Sequence, residues 1–126
     1  MTKNIIIAEK SKLLKKRIED ILNNLGYNVL GSFNSGEEAL KFSIKEKVDL
    51  VVIDMNIQGK FNGYELAKKI NEEKEVPFIF ITSSNEANIF RMDDLYSLSI
   101  YLSKPFTVSE LKNNIELLFY KYELRS

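Results

Sequence analysis

Cysteine and histidine are both absent from the 126-residue sequence, and the two absences remove whole classes of chemistry. Without cysteine there is no disulfide framework, no thiolate zinc site and no cysteine nucleophile; an oxidising compartment is neither required nor excluded. Without histidine every imidazole mechanism falls away, including the triad hydrolases that need a histidine base. Charge of one sign is not in excess either. Eighteen basic residues balance 18 acidic ones, so no surplus of positive charge exists to neutralise a phosphate backbone, and direct nucleic-acid binding is not expected. No stretch approaches the ~20 apolar residues of a membrane span. The opening Met1-Thr2-Lys3-Asn4, followed by a few apolar residues and then Glu9-Lys10, lacks the apolar segment of a signal peptide. A cytoplasmic chain with no membrane contact is the expectation. The chemistry that remains belongs to carboxylates, hydroxyls, lysines and a metal.

What is present is an alternation. A hydrophobic content of 44% supports one domain with a real core over residues 1–126, with no low-complexity stretch and no linker. Five short apolar runs, Asn4 to Ala8, Asn28 to Ser32, Asp49 to Ile53, Pro77 to Thr82 and Ser99 to Ser103, are separated by helix-like segments. Ile5-Ile6-Ile7, Leu50-Val51-Val52-Ile53 and Phe78-Ile79-Phe80-Ile81 are continuous rather than alternating, as in central parallel strands covered on both faces. Leu13, Leu14, Ile18, Ile21, Leu22 and Leu25 recur at helical spacing, with Ser11 as cap and Gly26 as stop. Ser35 to Glu38 and Thr107 to Glu110 fit the capping box, which predicts helices at about 36 to 47 and 108 to 123. Tyr64, Leu66, Ala67 and Ile70 predict a third helix, and Ile89, Phe90 and Leu95 a fourth. Five β/α units make an α/β fold, an open, doubly wound five-stranded parallel sheet.

In such sheets ligands bind beyond the carboxyl ends of the strands, near the switch point of strand order. Glu9 and Lys10 follow the first run, Asp54, Met55 and Asn56 the third, Thr82-Ser83-Ser84 the fourth, and Lys104-Pro105 the fifth. Taken singly, Asp54 reads equally as a turn or cap residue, Thr82 as a loop hydroxyl, and a lysine before proline as nothing at all. Together they place carboxylates, a hydroxyl and lysines on one sheet edge, the oxygen-rich, mixed-charge setting that a phosphoryl group and a hard cation require.

With these residues in that order the sequence resembles the receiver domains of two-component response regulators, the flavodoxin-like family that includes the chemotaxis response regulator. The resemblance is carried by Ile5-Ile6-Ile7-Ala8-Glu9, Leu25-Gly26-Tyr27, Ser35-Gly36-Glu37-Glu38-Ala39-Leu40, Asp49-Leu50-Val51-Val52-Ile53-Asp54, Asn62-Gly63-Tyr64-Glu65-Leu66, Ile81-Thr82 and Tyr101-Leu102-Ser103-Lys104-Pro105-Phe106, and it spans essentially the whole chain. It implies that Asp54 accepts a phosphoryl group from a histidine kinase or histidine phosphotransfer domain, whose phosphohistidine must lie outside this histidine-free chain. It further implies that Glu9, Asp54 and the backbone carbonyl of Asn56 hold Mg²⁺, that Thr82 and Lys104 bind the phosphoryl oxygens, and that Tyr101 is the aromatic switch residue. The chain is then a signalling domain rather than an enzyme, with catalysis limited to its own phosphorylation and dephosphorylation.

Two departures from the family pattern matter. Lys10 stands where a second metal-binding acid is usual, which takes the site from net negative to neutral and weakens Mg²⁺ binding. The loop after Asp54 is one residue longer than usual, with Ile57-Gln58-Gly59 in place of Met-Pro and Asn62 in place of an aspartate. The first departure leaves open a degenerate receiver, a phosphorylation-independent docking module in which Lys10 pairs with Asp54. A phosphatase with Asp54 as covalent nucleophile would call for a second acid where Asn56 stands, and flavin binding for a hydroxyl-rich loop where Ala8-Glu9-Lys10-Ser11 stands. On the last helix, Leu111, Ile115, Leu118 and Tyr122 form a stripe that docks it on the sheet. Leu117, Tyr120 and Leu124 form a second stripe suited to a homodimer contact or to a helix that continues into a further module, on the face of helix four, strand five and helix five by which receivers signal.

Overall fold

The computed structural model describes residues 2–83 and 98–125. Its elements are β1 (Asn4–Ala8), α1 (Lys12–Asn24), β2 (Asn28–Phe33), α2 (Gly36–Lys45), β3 (Leu50–Asp54), α3 (Gly63–Glu73), β4 (Phe78–Thr82), β5 (Ser99–Ser103) and α4 (Val108–Arg125). The helix expected from Ile89, Phe90 and Leu95 lies outside the described residues, so the fifth helical segment of the sequence is α4 here.

All four strand pairings are parallel, in the order β2-β1-β3-β4-β5. The three continuous apolar runs are the three interior strands, and their residues Ile5–Ala8, Leu50–Ile53 and Phe78–Ile81 are entirely buried. Strand periodicity divides them between two cores. Ile6, Ala8, Val51, Ile53, Phe78 and Phe80 pack with Ala39 of α2 and Leu66, Ala67 and Ile70 of α3. Ile5, Ile7, Leu50, Val52, Ile79 and Ile81 pack with Ile18, Ile21 and Leu22 of α1 and Leu111, Ile115 and Leu118 of α4. The sheet is therefore doubly wound, and each large aliphatic side chain buried this way contributes roughly 1.5–3 kcal/mol.

Helix ends follow local chemistry. Ser11 Oγ accepts the Leu14 amide at 3.2 Å, and α1 stops before Gly26, which adopts a φ of +91° that other residues rarely take. Thr107 and Glu110 form the reciprocal capping box, each backbone amide donating to the other's side chain at 2.8 and 3.0 Å. At α2 only half of the expected box forms. Ser35 Oγ accepts the Glu38 amide at 3.3 Å, but the Glu38 carboxylate returns to the Ser35 hydroxyl instead of its backbone. Leu13 is a correction to the apolar stripe of α1. One residue is a rotation of about 100° on a helix, and with Leu14, Ile18, Ile21 and Leu22 turned to the sheet, Leu13 falls on the solvent side, 83% exposed.

Candidate functional site

Strand order reverses between β1 and β3, and the residues beyond their carboxyl ends are Glu9 and Asp54. Glu9 continues the ladder, its amide donating to Phe33 O at 3.0 Å, so its side chain is fixed by the sheet rather than carried on a loose loop. Asp54 is the last residue of β3, one position later than the apolar pattern ends the strand. The residue is only 2% exposed and its carboxylate is held from two sides: Oδ1 accepts the Asn56 amide at 2.9 Å and Oδ2 accepts Lys104 Nζ at 3.0 Å. Lys104 reaches it because its own amide donates to Thr82 O at 2.8 Å, which ties the segment after β5 to the end of β4.

Two buried polar atoms at this edge have no hydrogen-bond partner among the described residues, Glu9 Oε1 and Thr82 Oγ1. The other Glu9 oxygen accepts the Ser11 amide at 2.9 Å. Burial pushes the Glu9 carboxyl up from about 4.5 to about 7, the adjoining Asp54 carboxylate adds to the rise, and the Ser11 amide and the Lys104 charge oppose it. A buried carboxylate pair with one lysine and an orphaned hydroxyl has oxygen ligands to give a cation and donors to give an anion.

Glu9, Asp54, Thr82 and Lys104 are thus brought together. Asn56 is exposed on the loop after β3, its amide turned to Asp54. Lys10 is exposed, and the ion-pair partner of Asp54 is Lys104. Among the described residues no three Asp or Glu side chains cluster, and the strand-end site has two carboxylates, Glu9 and Asp54. Tyr101 is half-buried on β5, its ring 5.8 Å from that of Phe80 at a tilt of 37°, two residues along β4 from Thr82.

Two further residues support the site. Asn62 caps α3 in a full capping box with Glu65, with reciprocal bonds of 2.9 Å; the Asn-x-x-Glu spacing was the available signal. Gly63 sits so close to the strand end that a Cβ there would lie 2.8 Å from Asp54 O, so α3 starts against β3 only because the position is glycine.

Comparison with known proteins agrees with this geometry. A family model described as the response regulator receiver domain matches residues 5–116. The transcriptional regulatory protein PdtaR of Mycobacterium tuberculosis is 27% identical over 115 residues, covering 91% of this chain and 56% of that protein. The probable transcriptional regulator ycf29 of Porphyra purpurea is 33% identical over 133 residues, covering 100% of this chain and 61% of that protein. The chain spans about half the length of the curated relatives it matches. Among solved structures, the signal receiver domain of a modulated diguanylate cyclase from Desulfovibrio desulfuricans G20 superposes with a TM-score of 0.90 at 30% identity, with 100% of both chains covered. Receiver domains are signalling domains, generally non-enzymatic, that work with histidine kinases and bind Mg²⁺ in their acidic pocket. By its matched residues, its sheet order and its strand-end site, this chain belongs to the response regulator receiver domain family.

Proposed function

We propose that this receiver domain is a phosphoacceptor and that Asp54 takes a phosphoryl group from a phosphohistidine on a partner kinase or phosphotransfer domain. The observation that carries the reading is the Asp54 carboxylate itself. It is buried, ion-paired with Lys104, and flanked by buried Glu9 and Thr82 atoms whose hydrogen-bonding capacity is unspent. In the reaction a carboxylate oxygen forms a bond to phosphorus as the phosphorus–nitrogen bond breaks, and the departing imidazole keeps that electron pair and takes up a proton. Lys104, already on Asp54, can transfer its hydrogen bond to a phosphoryl oxygen, and the Thr82 hydroxyl can donate to another. Such transfer needs alignment and charge neutralisation more than covalent help.

The residues present fit Mg²⁺. Glu9 Oε1 is a buried oxygen in want of a ligand, and with Asp54 and the Asn56 carbonyl it makes an all-oxygen set of the kind a hard cation takes. The ion would supply positive charge to the transferring group. Lys10 offsets part of the negative charge that attracts it. The alternative in which Lys10 replaces the metal by pairing with Asp54 gains no support from geometry, because Lys10 is exposed and Lys104 holds Asp54.

Thr82 and Tyr101 connect the site to a surface. If Thr82 moves toward a bound phosphoryl group, the half-buried Tyr101 ring beside Phe80 can turn into the space released, a coupling of electrostatics to packing. The neighbouring α4 exposes Leu117, Tyr120 and Leu124 at 43%, 61% and 68%, and a second copy of the chain is the partner we assign to that stripe. The test of the phosphoacceptor reading is the intact mass after incubation with acetyl phosphate, with Mg²⁺ or with a chelator. A Mg²⁺-dependent gain of one phosphoryl group is expected; no gain under either condition would leave a docking module instead.

A further inference from the structure

The loop between β3 and α3, residues 55–62, is held at both ends and also in its middle, where nothing in the strand-end site requires it. Gly36 at the start of α2 donates its amide to Gln58 O at 3.1 Å, and Ser35 pairs with Gln58 as an isolated parallel bridge. The Lys60 amide donates to Glu37 Oε1 at 3.0 Å. Between these bonds Gly59 has a φ of +118°, and a Cβ on it would run into the Glu37 carboxylate. Phe61 closes against Gly36, where a Cβ would lie 2.7 Å from the ring. The first turn of α2 therefore clasps the loop that carries Asn56.

From this we infer that Glu37 is a positioning residue for Mg²⁺ binding, acting through the loop to aim the Asn56 carbonyl; the inference rests on the phosphoacceptor reading above. Asn56 lies between two anchors. On one side its amide is bonded to Asp54 Oδ1 and the Ile57 amide to Asp54 O, at 2.9 and 3.0 Å. On the other, Gln58 and Lys60 are bonded to α2, two and four residues on. A peptide unit spans only about 3.8 Å, so anchors this close leave the 56–57 peptide little freedom to rotate. Loss of the Glu37 bond to Lys60 loosens the α2 side of this clamp, while the Ile57 amide keeps its bond to Asp54 O. Residues that orient a metal ligand typically change affinity about 10- to 100-fold when removed, although they never touch the ion.

A competing role for Glu37 is simple: an acidic side chain in the first turn of a helix is favoured by the helix dipole. Charge and acceptor can be separated. Glu37→Gln removes the charge and keeps a side-chain oxygen for the Lys60 amide, whereas Glu37→Ala removes both. Gly59→Ala attacks the same contact from the loop. The experiment titrates Mg²⁺ into the whole chain and into each variant at fixed ionic strength, following the Asn56 and Ile57 amide resonances, with thermal unfolding measured alongside without metal. The expectation is about tenfold weaker Mg²⁺ binding in Glu37→Ala and Gly59→Ala, affinity within about twofold of wild type in Glu37→Gln, and equal unfolding temperatures for the two Glu37 variants. Wild-type affinity in Glu37→Ala, or the same loss in Glu37→Gln as in Glu37→Ala, would overturn the positioning role while leaving the phosphoacceptor reading intact. No Mg²⁺ response in any protein would overturn that reading and the inference with it.

Discussion

At the scale of single residues the site is a contest over charge. Two buried carboxylates, Glu9 and Asp54, face Lys104 in contact and Lys10 in solvent. An exposed lysine acts through a high dielectric and is screened by salt, so its effect on a divalent ion is moderate. Lys10→Asp should strengthen Mg²⁺ binding by about five- to tenfold at low salt, read by titration, with the gain shrinking as salt is added. Glu9 makes the same site sensitive to pH. Its carboxyl, raised to about 7 by burial and by Asp54, must lose a proton to serve a cation, so Mg²⁺ affinity should climb as pH rises through about 7. Stability of the metal-free protein runs the other way. The folded state keeps a proton that the unfolded chain gives up near 4.5, so this contribution is full below that value and is lost as pH rises toward and through about 7. Glu9→Gln should flatten the stability slope in that window, checked by unfolding at a series of pH values; an unchanged slope would place its origin elsewhere.

At the scale of elements, strand ends and helix starts do the positioning. Asp54, Thr82 and Glu9 are fixed because each ends or directly follows an interior strand whose every apolar residue is buried. This was legible in the sequence, because continuous runs such as Leu50-Val51-Val52-Ile53 announce buried parallel strands and the residue that breaks each run announces the edge. The helix starts were legible in part. The hydroxyl caps Ser11, Ser35 and Thr107 could be read directly, whereas Asn62 capped α3 from a position noted only as a departure from an aspartate. The clasp of Glu37 on the loop could not be read at all, since it depends on how an irregular loop folds back over a helix start 23 residues earlier. Asn62→Ala should cost about 1 kcal/mol of stability through the lost cap, measured by denaturant unfolding. Gly63→Ala should cost more, because its new methyl meets both the Asp54 carbonyl oxygen and the Ile53 side chain at 2.8 Å, one fixed in the backbone and the other buried in the core.

At the scale of the whole molecule, one twisted sheet carries both cores, and the functional edge lies where strand order reverses. The architecture followed from counting alternating segments, and the family from the ordered strand-end residues. Exposure did not follow, because Leu13 and Leu14 look alike in sequence while only rotation about α1 separates them. The outward stripe of α4 was legible from its spacing, and its exposure makes a quantitative prediction for self-association. Sedimentation of the phosphorylated chain should show a dimer that the paired change Leu117→Glu with Leu124→Glu abolishes; monomers at all concentrations in both proteins would remove the dimer. All of this depends on the carboxylate at the centre of the edge. The most direct measurement is the intact mass of the wild type and of Asp54→Asn after identical incubation with phosphoramidate and Mg²⁺. A gain of one phosphoryl group in the wild type and none in Asp54→Asn is the predicted result, and an equal gain in both proteins would contradict it.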